Sequence, residues 1–323
     1  MKSLGIGLIG LGRHGQRYAH HLLEGIPRCQ LVAVCRRDST KGQPFAKKHS
    51  LQFYQDYHDL LTHPEIQAIV VVTPPSEAIS IALQAIRHHK PVLIEKPMGS
   101  SAKEAQQLLA QSTQEHIPVM VAQTTRYEET IAQLKSYGNK IGTWRYLVLT
   151  NRLPPSENPL LQSPGTSRGA LLEIGIHQLD LVRFLTGQEV SQVYCEMERS
   201  HPENPETRAW VTLHTNSGLP CLLDISRVSQ GRFTRTEIIG ETGQLIADMT
   251  SPSLTLLRKD DHPRVIPLTS QPTIPQVLSD FVDAIQSEIP MPVTGLDGLR
   301  AVQIADACYE SAKTQRTITI SPI

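Results

Sequence analysis

The sequence has no excess of charge of either sign. Lys and Arg together number 31, Asp and Glu together number 31, and the formal net charge of the 323 residues is +0 at pH 7. A nucleic-acid-binding surface needs basic residues that replace the counterions on phosphates, and a polybasic membrane-surface protein needs clustered Lys and Arg. We therefore expect neither a nucleic-acid partner nor a membrane partner.

Cysteine is scarce, and the cysteine positions match neither a disulfide framework nor a zinc ribbon. The chain has five cysteines, an odd number, and none forms a C-x-x-C pair. Disulfide frameworks need an even set, and zinc ribbons need close pairs of ligands. We therefore expect no disulfides, no metal and reduced thiols in a reducing compartment. The five residues are Cys29, Cys35, Cys195, Cys221 and Cys308.

Long hydrophobic runs are also lacking. The longest apolar stretches, such as 69–72, are far shorter than the roughly 20 residues of a membrane-spanning helix. The first residues, Met-Lys-Ser, lead directly into a predicted strand, without the charged and apolar regions of a secretory leader. We expect a cytoplasmic protein.

The apolar pattern predicts two domains. Residues 1–122 alternate between short apolar strands and amphipathic helices, which is typical of a parallel sheet covered on both faces. Between about 190 and 268, successive strand-like runs are separated by turn residues, which indicates an antiparallel sheet. The predicted fold class is α/β, with an N-terminal doubly wound parallel sheet. An α+β domain with an open, mostly antiparallel sheet follows at 123–323, and its helix at about 295–313 is a candidate to pack back on the first domain.

A glycine-rich loop lies at the start of the first domain. Residues 10–15 read Gly-Leu-Gly-Arg-His-Gly and match G-x-G-x-x-G between a predicted strand and a predicted helix. In this context the glycines allow a tight turn, a close approach to a pyrophosphate and close packing of helix on strand. The loop therefore predicts a Rossmann site for a dinucleotide.

The end of the second predicted strand indicates which dinucleotide binds. An acidic residue about 20 positions past the glycines would bind the ribose hydroxyl of NAD, but this chain has Arg36 and Arg37 there. A guanidinium pairs with a phosphate, so the sequence favours NADP(H) over NAD(H). In the alternative interpretation both arginines are solvated, and Asp38 takes the acidic role.

Two further groups of residues predict acid–base chemistry. Lys96, in the segment Glu-Lys-Pro, follows a predicted parallel strand, and ligands of such sheets bind at the carboxyl ends of the strands. Glu173, His177 and Asp180 have spacings of four and three, which place them along one helical face. A carboxylate near a histidine orients the ring and tunes its pKa. The alternatives are a metal site formed by these three residues and a structural histidine beside ordinary surface acids.

With these segments in hand, the chain resembles the Gfo/Idh/MocA oxidoreductase family along nearly its whole length. The resembling segments are 10–15, Thr73-Pro74-Pro75-Ser76, Glu95-Lys96-Pro97, 169–180 (Gly-Ala-Leu-Leu-Glu-Ile-Gly-Ile-His-Gln-Leu-Asp) and 295–298 (Gly-Leu-Asp-Gly). The resemblance implies Lys96 as the catalytic lysine, His177 as the acid–base residue and Glu173 as a third catalytic residue, whose carboxylate either takes part in the reaction or supports the other two. It also implies a homodimer or homotetramer formed through the C-terminal sheet.

Three positions depart from the family pattern. Glu173 stands where the family usually has aspartate, Ala78 where many members have histidine, and Arg168 where many have glycine. The extra methylene of Glu173 changes the reach of its carboxylate by roughly a bond length. Arg168 could clamp a carboxylate or a phosphate, or it could be a surface residue.

The sequence thus predicts hydride transfer between a nicotinamide cofactor and a carbinol or carbonyl group, and the resemblance implies a small sugar- or polyol-like substrate. The alternatives are a reductase of another substrate, such as an imine or a bilin-like carbonyl, and a cofactor-binding regulatory protein without activity. Arg126, Arg168 and Asp180 are predicted to bind substrate. The residues predicted to bind the cofactor are Gly10, Gly12, Arg13, His14, Gly15, Arg36, Arg37, Thr73, Pro74, Glu95 and Lys96.

Overall fold

The computed structural model describes residues 3–158 and 168–321. The chain divides into two compact units, of which the first comprises Met1–Thr124 and Pro272–Leu299 and the second Thr125–Gln271 and Arg300–Ile323. These units differ from the predicted domains, 1–122 and 123–323, mainly in the segment 272–299.

The physical reason for this difference is the helix that the segment contains. Its apolar face buries Val277 and Phe281. Its Asp283 forms an ion pair with Arg28, and its Gln286 side chain donates a 2.8 Å hydrogen bond to the Arg28 carbonyl. Such pairings over some 255 positions leave no local signal in the sequence.

The first unit contains a six-stranded sheet in which every neighbouring pair of strands is parallel. All six residues of the first strand are buried, as are all residues of the fourth, fifth and sixth, because helices cover both faces. The strand order is β3-β2-β1-β4-β5-β6. The strands are β1 Leu4–Ile9, β2 Cys29–Cys35, β3 Gln52–Tyr54, β4 Ala68–Val71, β5 Val92–Glu95 and β6 Val119–Ala122.

The helices follow the amphipathic pattern of the sequence. The first helix buries Gly15, Tyr18, Ala19 and Leu22, whose spacing places them on one face. The helices are α1 Arg13–Gly25, α2 Ser39–Lys48, α3 Tyr57–Leu61, α4 Pro75–Arg87, α5 Ala102–Glu115, α6 Glu129–Tyr137, α7 Ile176–Thr186, α8 Thr273–Gln286 and α9 Gly295–Thr314. Short 3₁₀ turns occur at Thr124–Tyr127 and Gly138–Ile141, and a π-helical turn, Leu171–Gly175, leads into α7.

The second unit contains a nine-stranded mixed sheet of order β14-β13-β12-β11-β7-β10-β9-β8-β15. All its pairs are antiparallel except β7 with β10, which is parallel. The predicted α/β class, with a mostly antiparallel second sheet, is confirmed. The strands are β7 Trp144–Arg152, β8 Val190–Glu198, β9 Arg208–Thr215, β10 Pro220–Ser226, β11 Phe233–Gly240, β12 Gln244–Asp248, β13 Ser253–Leu257, β14 Arg264–Pro267 and β15 Ile318–Thr319.

The two faces of this second sheet differ in burial. Side chains alternate along the strands, so that one set packs with α6, α7 and the later part of α9 in a single apolar core. The other set is more exposed and includes Tyr146, Leu222 and Trp210, which lie on the adjacent strands β7, β10 and β9.

Candidate active site

The glycine loop forms an open turn at the start of α1. Gly10 has φ +101°, and a Cβ there would lie 2.2 Å from the Val72 carbonyl oxygen, so only glycine fits. A Cβ on Gly12, in contrast, would meet no atom within 4 Å. Gly12 precedes the first turn of α1, whose leading N–H groups have no partner inside the helix and favour an anion. The loop therefore has the space and the donors that a pyrophosphate requires.

Thr73 lies beside this loop. It follows β4, and its Cγ2 would be 3.0 Å from a Cβ on Gly10. Its Oγ1 is buried and has no hydrogen-bond partner within residues 3–158 and 168–321. A buried hydroxyl without a partner costs free energy, so this atom suits a ligand that would bond to it. Pro74 follows as the residue that caps α4.

The two arginines after β2 are both held by polar partners. The Arg36 guanidinium donates a hydrogen bond to the Leu11 carbonyl, which ties it to the glycine loop. Arg37 is 81% exposed and lies 3.0 Å from Glu77 of α4. The Asp38 carboxylate accepts a hydrogen bond from the Thr40 hydroxyl at 2.6 Å. Of these two arginines, Arg36 is thus the one that contacts the glycine loop.

Glu95, at the end of β5, is the centre of a buried hydrogen-bond network. His14 Nε2 lies 2.7 Å from its Oε1, the Tyr18 hydroxyl donates to the same oxygen at 2.5 Å, and the Lys96 N–H donates to Oε2 at 3.1 Å. Glu95 is 8% exposed and Tyr18 is fully buried. Glu95 and His14, both predicted to bind cofactor, are thus bonded to each other.

In the second unit, Arg126 and Asp180 form a buried ion pair. Arg126 Nε and Nη2 each lie 2.6 Å from a different oxygen of Asp180, and the two side chains are 9% and 1% exposed. The guanidinium also lies 5.1 Å from the centre of the Phe184 ring. Both residues were predicted to bind substrate, and the structure joins them to each other across 54 positions of sequence.

Glu173 lies in the π-helical turn that precedes α7, and its carboxylate is paired with Arg227. Both Arg227 Nε, at 3.0 Å, and Nη2 donate to it, and Nη1 also donates to the Pro154 carbonyl at 3.3 Å. The two side chains are 18% and 21% exposed. His177, one turn farther, is half-buried on α7. The negative charge of Glu173 is therefore balanced by an arginine that the sequence analysis did not identify.

Arg168 is held by the last helix of the unit. It forms an ion pair with Asp306, and its guanidinium lies 3.9 Å from the centre of the Tyr309 ring. The side chain remains 32% exposed. The guanidinium of Arg168 is thus already in contact with the carboxylate of Asp306 and the ring of Tyr309.

Glu206 is a buried carboxyl that sequence reasoning missed. It is 2% exposed, and its Oε1 accepts hydrogen bonds from the Leu171 N–H and the Tyr309 hydroxyl, both at 2.9 Å. Burial raises the pKa of Glu206 to about 7, although these two bonds act in the opposite direction. Glu206 and Glu173 both line a cavity of about 350 Å³. No pattern near Glu206 marks it, because its partners are 35 and 103 positions away.

One group of side chains has ligand atoms close enough to hold a metal ion, although its members are exposed or half-buried and already pair with one another. His20, His21 and Glu24 on α1 bring their ligand atoms within 4.8 Å of one another, and this is the one such group within the part of the chain that the structure describes. Glu173, His177 and Asp180 do not form one, so the metal alternative for that helix has no geometric support. Among the described residues, no helix combines the length and the apolar character that a membrane span requires.

Two family models match this chain. Residues 4–123 match an oxidoreductase family with an NAD-binding Rossmann fold, and residues 148–320 match the C-terminal alpha/beta domain of the same family, GFO_IDH_MocA. The chain is 27% identical over 325 residues to the oxidoreductase YrbE of Bacillus subtilis, covering 96% of this chain and 94% of the relative. It is 28% identical over 340 residues to an inositol 2-dehydrogenase of Burkholderia vietnamiensis, covering 99% and 96%.

A solved structure has the same fold over nearly the whole chain. An oxidoreductase from Agrobacterium radiobacter, in complex with NAD+, L-tartaric acid and magnesium, superimposes with a TM-score of 0.90 at 20% identity and covers 99% of both chains. At that identity the likeness establishes the fold alone. The glycine loop, the two matched domains and the full-length relatives together show that the chain belongs to the Gfo/Idh/MocA family of NAD-binding oxidoreductases.

Proposed function

We propose that this oxidoreductase transfers hydride between a nicotinamide cofactor and a carbinol or carbonyl carbon of a small sugar- or polyol-like molecule. The observation that carries the proposal is that three of the candidate residues follow the carboxyl ends of neighbouring strands. Gly10 follows β1, Thr73 lies two residues past β4, and Lys96 follows β5, and these strands are adjacent in the parallel sheet. The substrate class is supported by the inositol dehydrogenases among the relatives.

The roles of the residues follow from their chemistry. The cofactor, when bound, supplies or accepts the hydride. The N–H groups after Gly12 and the Thr73 hydroxyl would hold its phosphate and ribose parts. Lys96 holds the substrate oxygen and steadies its charge, and His177 removes the hydroxyl proton in the oxidative direction. Glu173, already neutralised by Arg227, supports the geometry and does not act as a base.

For the cofactor we propose a preference for NADP(H) over NAD(H). Arg36 is tied to the Leu11 carbonyl of the glycine loop, and Arg37 is the next residue. A cation at the end of β2 favours a 2′-phosphate where a carboxylate would favour a 2′-hydroxyl. If this preference holds, the reductive direction is the physiological one.

For the assembly we propose a homodimer or homotetramer formed through the second sheet. Tyr146, Leu222 and Trp210 are 39%, 44% and 42% exposed on three adjacent strands, and they form an apolar patch that a second copy could cover. Replacing Leu222 with Arg should lower the mass measured by light scattering after size-exclusion chromatography. An unchanged mass in an otherwise folded variant would place the interface elsewhere. The free thiols of all five cysteines support a reducing compartment such as the cytoplasm.

The deciding experiment is a screen of myo-inositol, other polyols, aldoses and keto-sugars with both cofactors, followed by absorbance at 340 nm. Lys96→Met should abolish turnover and leave cofactor affinity within about twofold, because the change removes the ammonium and keeps an unbranched side chain. Lys103→Met, at an exposed position of α5, is the matched control.

Three outcomes have different meanings. A Lys96→Met variant that keeps most of its activity would refute the assigned role of Lys96. Turnover of an imine or another carbonyl, but of no sugar or polyol, would refute the substrate class. Stoichiometric cofactor binding by the wild type without turnover of any compound would favour a regulatory cofactor-binding protein.

A further inference from the structure

The Glu95 carboxylate connects the helix of the glycine loop to the main chain of Lys96. One of its oxygens is bonded to His14 and Tyr18, both on α1, and the other accepts the N–H of Lys96. His14 and Tyr18 are four positions apart and therefore lie on the same face of the helix. With its two oxygens, the Glu95 carboxylate thus joins α1 to the end of β5. Tyr18 and His14 lie 77 and 81 positions before Glu95 in the sequence.

The carboxylate is ionised in this network. Burial tends to raise the pKa of Glu95, but the bond and charge of His14, the charge of Lys96 and the Tyr18 hydroxyl together hold it below its ordinary value. An ionised carboxylate only accepts hydrogen bonds, so His14 Nε2 and the Tyr18 hydroxyl must both donate. Burial, with the charge of Glu95, raises the pKa of Tyr18 far enough to keep its proton in place.

The His14 ring is oriented by two contacts. Besides the bond to Glu95, it meets the Tyr18 ring edge-on, with 5.5 Å between centroids and an interplanar angle of 81°. The side chain is still 44% exposed, although its Nε2 points to the buried carboxylate. The His14 ring therefore belongs to the glycine loop in sequence and is bonded to the end of β5 through Glu95.

We propose that His14 and Tyr18 are positioning residues for Lys96, which they hold in place through the Glu95 carboxylate. The inference rests on the proposed role of Lys96 in the reaction. Because charge-assisted hydrogen bonds are short and directional, they fix the direction of the Lys96 main chain and so the origin of its side chain. The position of Lys96, which acts on substrate, is then fixed relative to α1, the helix that begins at the cofactor loop.

The test uses three variants and one control. Tyr18→Phe removes only the hydroxyl. His14→Leu removes the donor, and His14→Gln keeps an N–H donor without the ring. His20→Gln is the matched control, because His20 lies on the same helix, is 62% exposed, and has its ion pair with Glu24 and its ring contact with His21, both of them residues of α1. If Tyr18→Phe fails to fold, the two His14 variants still decide the question, because the His14 side chain is 44% exposed and its replacement disturbs packing less.

Three quantities are measured for each variant. The first is the split between kcat and KM with the best substrate of the screen. The second is the Kd for reduced cofactor, from its fluorescence. The third is the rate at which Lys96 is methylated by formaldehyde and borohydride, read by peptide mass spectrometry, which requires no turnover.

We expect Tyr18→Phe and His14→Leu to lower kcat about tenfold, because small displacements of a reacting group have large kinetic effects. The cofactor Kd should stay within about twofold in Tyr18→Phe, whose hydroxyl is fully buried against Glu95. The methylation rate of Lys96 should change by roughly threefold or more in both variants, since a shift of half a pKa unit or a change in access has this size. His14→Gln should recover most of both losses, and His20→Gln should match the wild type.

The inference is overturned if Tyr18→Phe and His14→Leu leave kcat and Lys96 methylation at wild-type values, or if they change only thermal stability. Equal losses in His14→Gln and His14→Leu would also overturn it, because the donated hydrogen bond would then be irrelevant. A wild type without turnover refutes the proposed function instead, and the methylation rates still decide whether Lys96 is held by this network.

Discussion

Replacing Glu206 with Gln should change how the stability of the second unit depends on pH. The substitution keeps the shape of the side chain and an oxygen for the Leu171 N–H and the Tyr309 hydroxyl. It removes the ionisation of a group that is 2% exposed and whose Oε2 has no hydrogen-bond partner among the described residues. The pH dependence of stability therefore differs between wild type and variant by the free energy of burying this negative charge.

The size of the effect follows from the pKa of Glu206. The folded value is about 7 and the ordinary value is 4.5. Because the folded pKa is raised, the stabilising contribution of the neutral carboxyl is complete below pH 4.5 and is lost as the pH rises through 7. A difference of roughly 2.5 units corresponds to about 3 kcal/mol at 1.36 kcal/mol per unit, and relaxation of the site would reduce it.

Tryptophan fluorescence during urea unfolding is a suitable assay. The chain has two tryptophans, and both, Trp144 and Trp210, lie in the second unit, so the signal reports the unit that contains Glu206. From pH 5 to pH 8.5, Glu206→Gln should gain stability over the wild type by about 2.5 kcal/mol, slightly less than the full effect because the wild type is already partly past its unfolded pKa at pH 5. Glu203→Gln, an exposed change in the same turn, should follow the wild type. Parallel stability curves for wild type and Glu206→Gln would refute the reasoning.

Three further predictions follow from other parts of the structure. Arg126→Met leaves the carboxylate of Asp180 buried without its cation and should cost about 3–5 kcal/mol in the same urea assay, whereas adding Asp180→Leu should recover part of that loss. Equal losses in the single and double variants would contradict this. Gly12→Ala should change unfolding stability by less than about 0.5 kcal/mol, because the new methyl group meets no atom. It should nevertheless weaken cofactor binding about tenfold in a fluorescence titration, and wild-type affinity would disprove the assigned cradle. Replacing both Arg36 and Arg37 with Ala should raise the KM for NADPH at least about tenfold and leave that for NADH within about twofold, because a charge-assisted bond to phosphate is lost. A wild type that prefers NADH would refute this assignment.

Local patterns predicted most of the elements. The alternation of strands and helices in residues 1–122 was predicted from apolar runs and amphipathic spacing, which act over a few residues. The three-residue strand β3 was missed, because its residues are partly exposed and too few to show a pattern. The π-helical turn Leu171–Gly175 was missed as well, because the ordinary helical period was assumed across it. The parallel pairing of β7 with β10 depends on chain topology, which a strand pattern does not encode.

The sequence named charged residues of the candidate site, but it did not predict which of them form ion pairs with each other. The sequence indicated Glu173, Asp180 and Arg126 as functional. In the structure, Arg126 is bonded to Asp180, and Glu173 is bonded to Arg227. Each pair joins positions 54 apart, so no local spacing predicts it. Glu206 had no signal at all, since its burial results from the packing of Leu171 and Tyr309 around it.

The edges of the nine-stranded sheet restrict how copies of this chain can associate. At one edge, β14 has four residues, begins with Arg264 and ends with Pro267, which has no N–H to donate. At the other edge, β15 has only two residues. Short strands with charge and proline are poor templates for adding a strand from another molecule. Growth of this sheet into an open-ended filament by strand addition at either edge is therefore disfavoured.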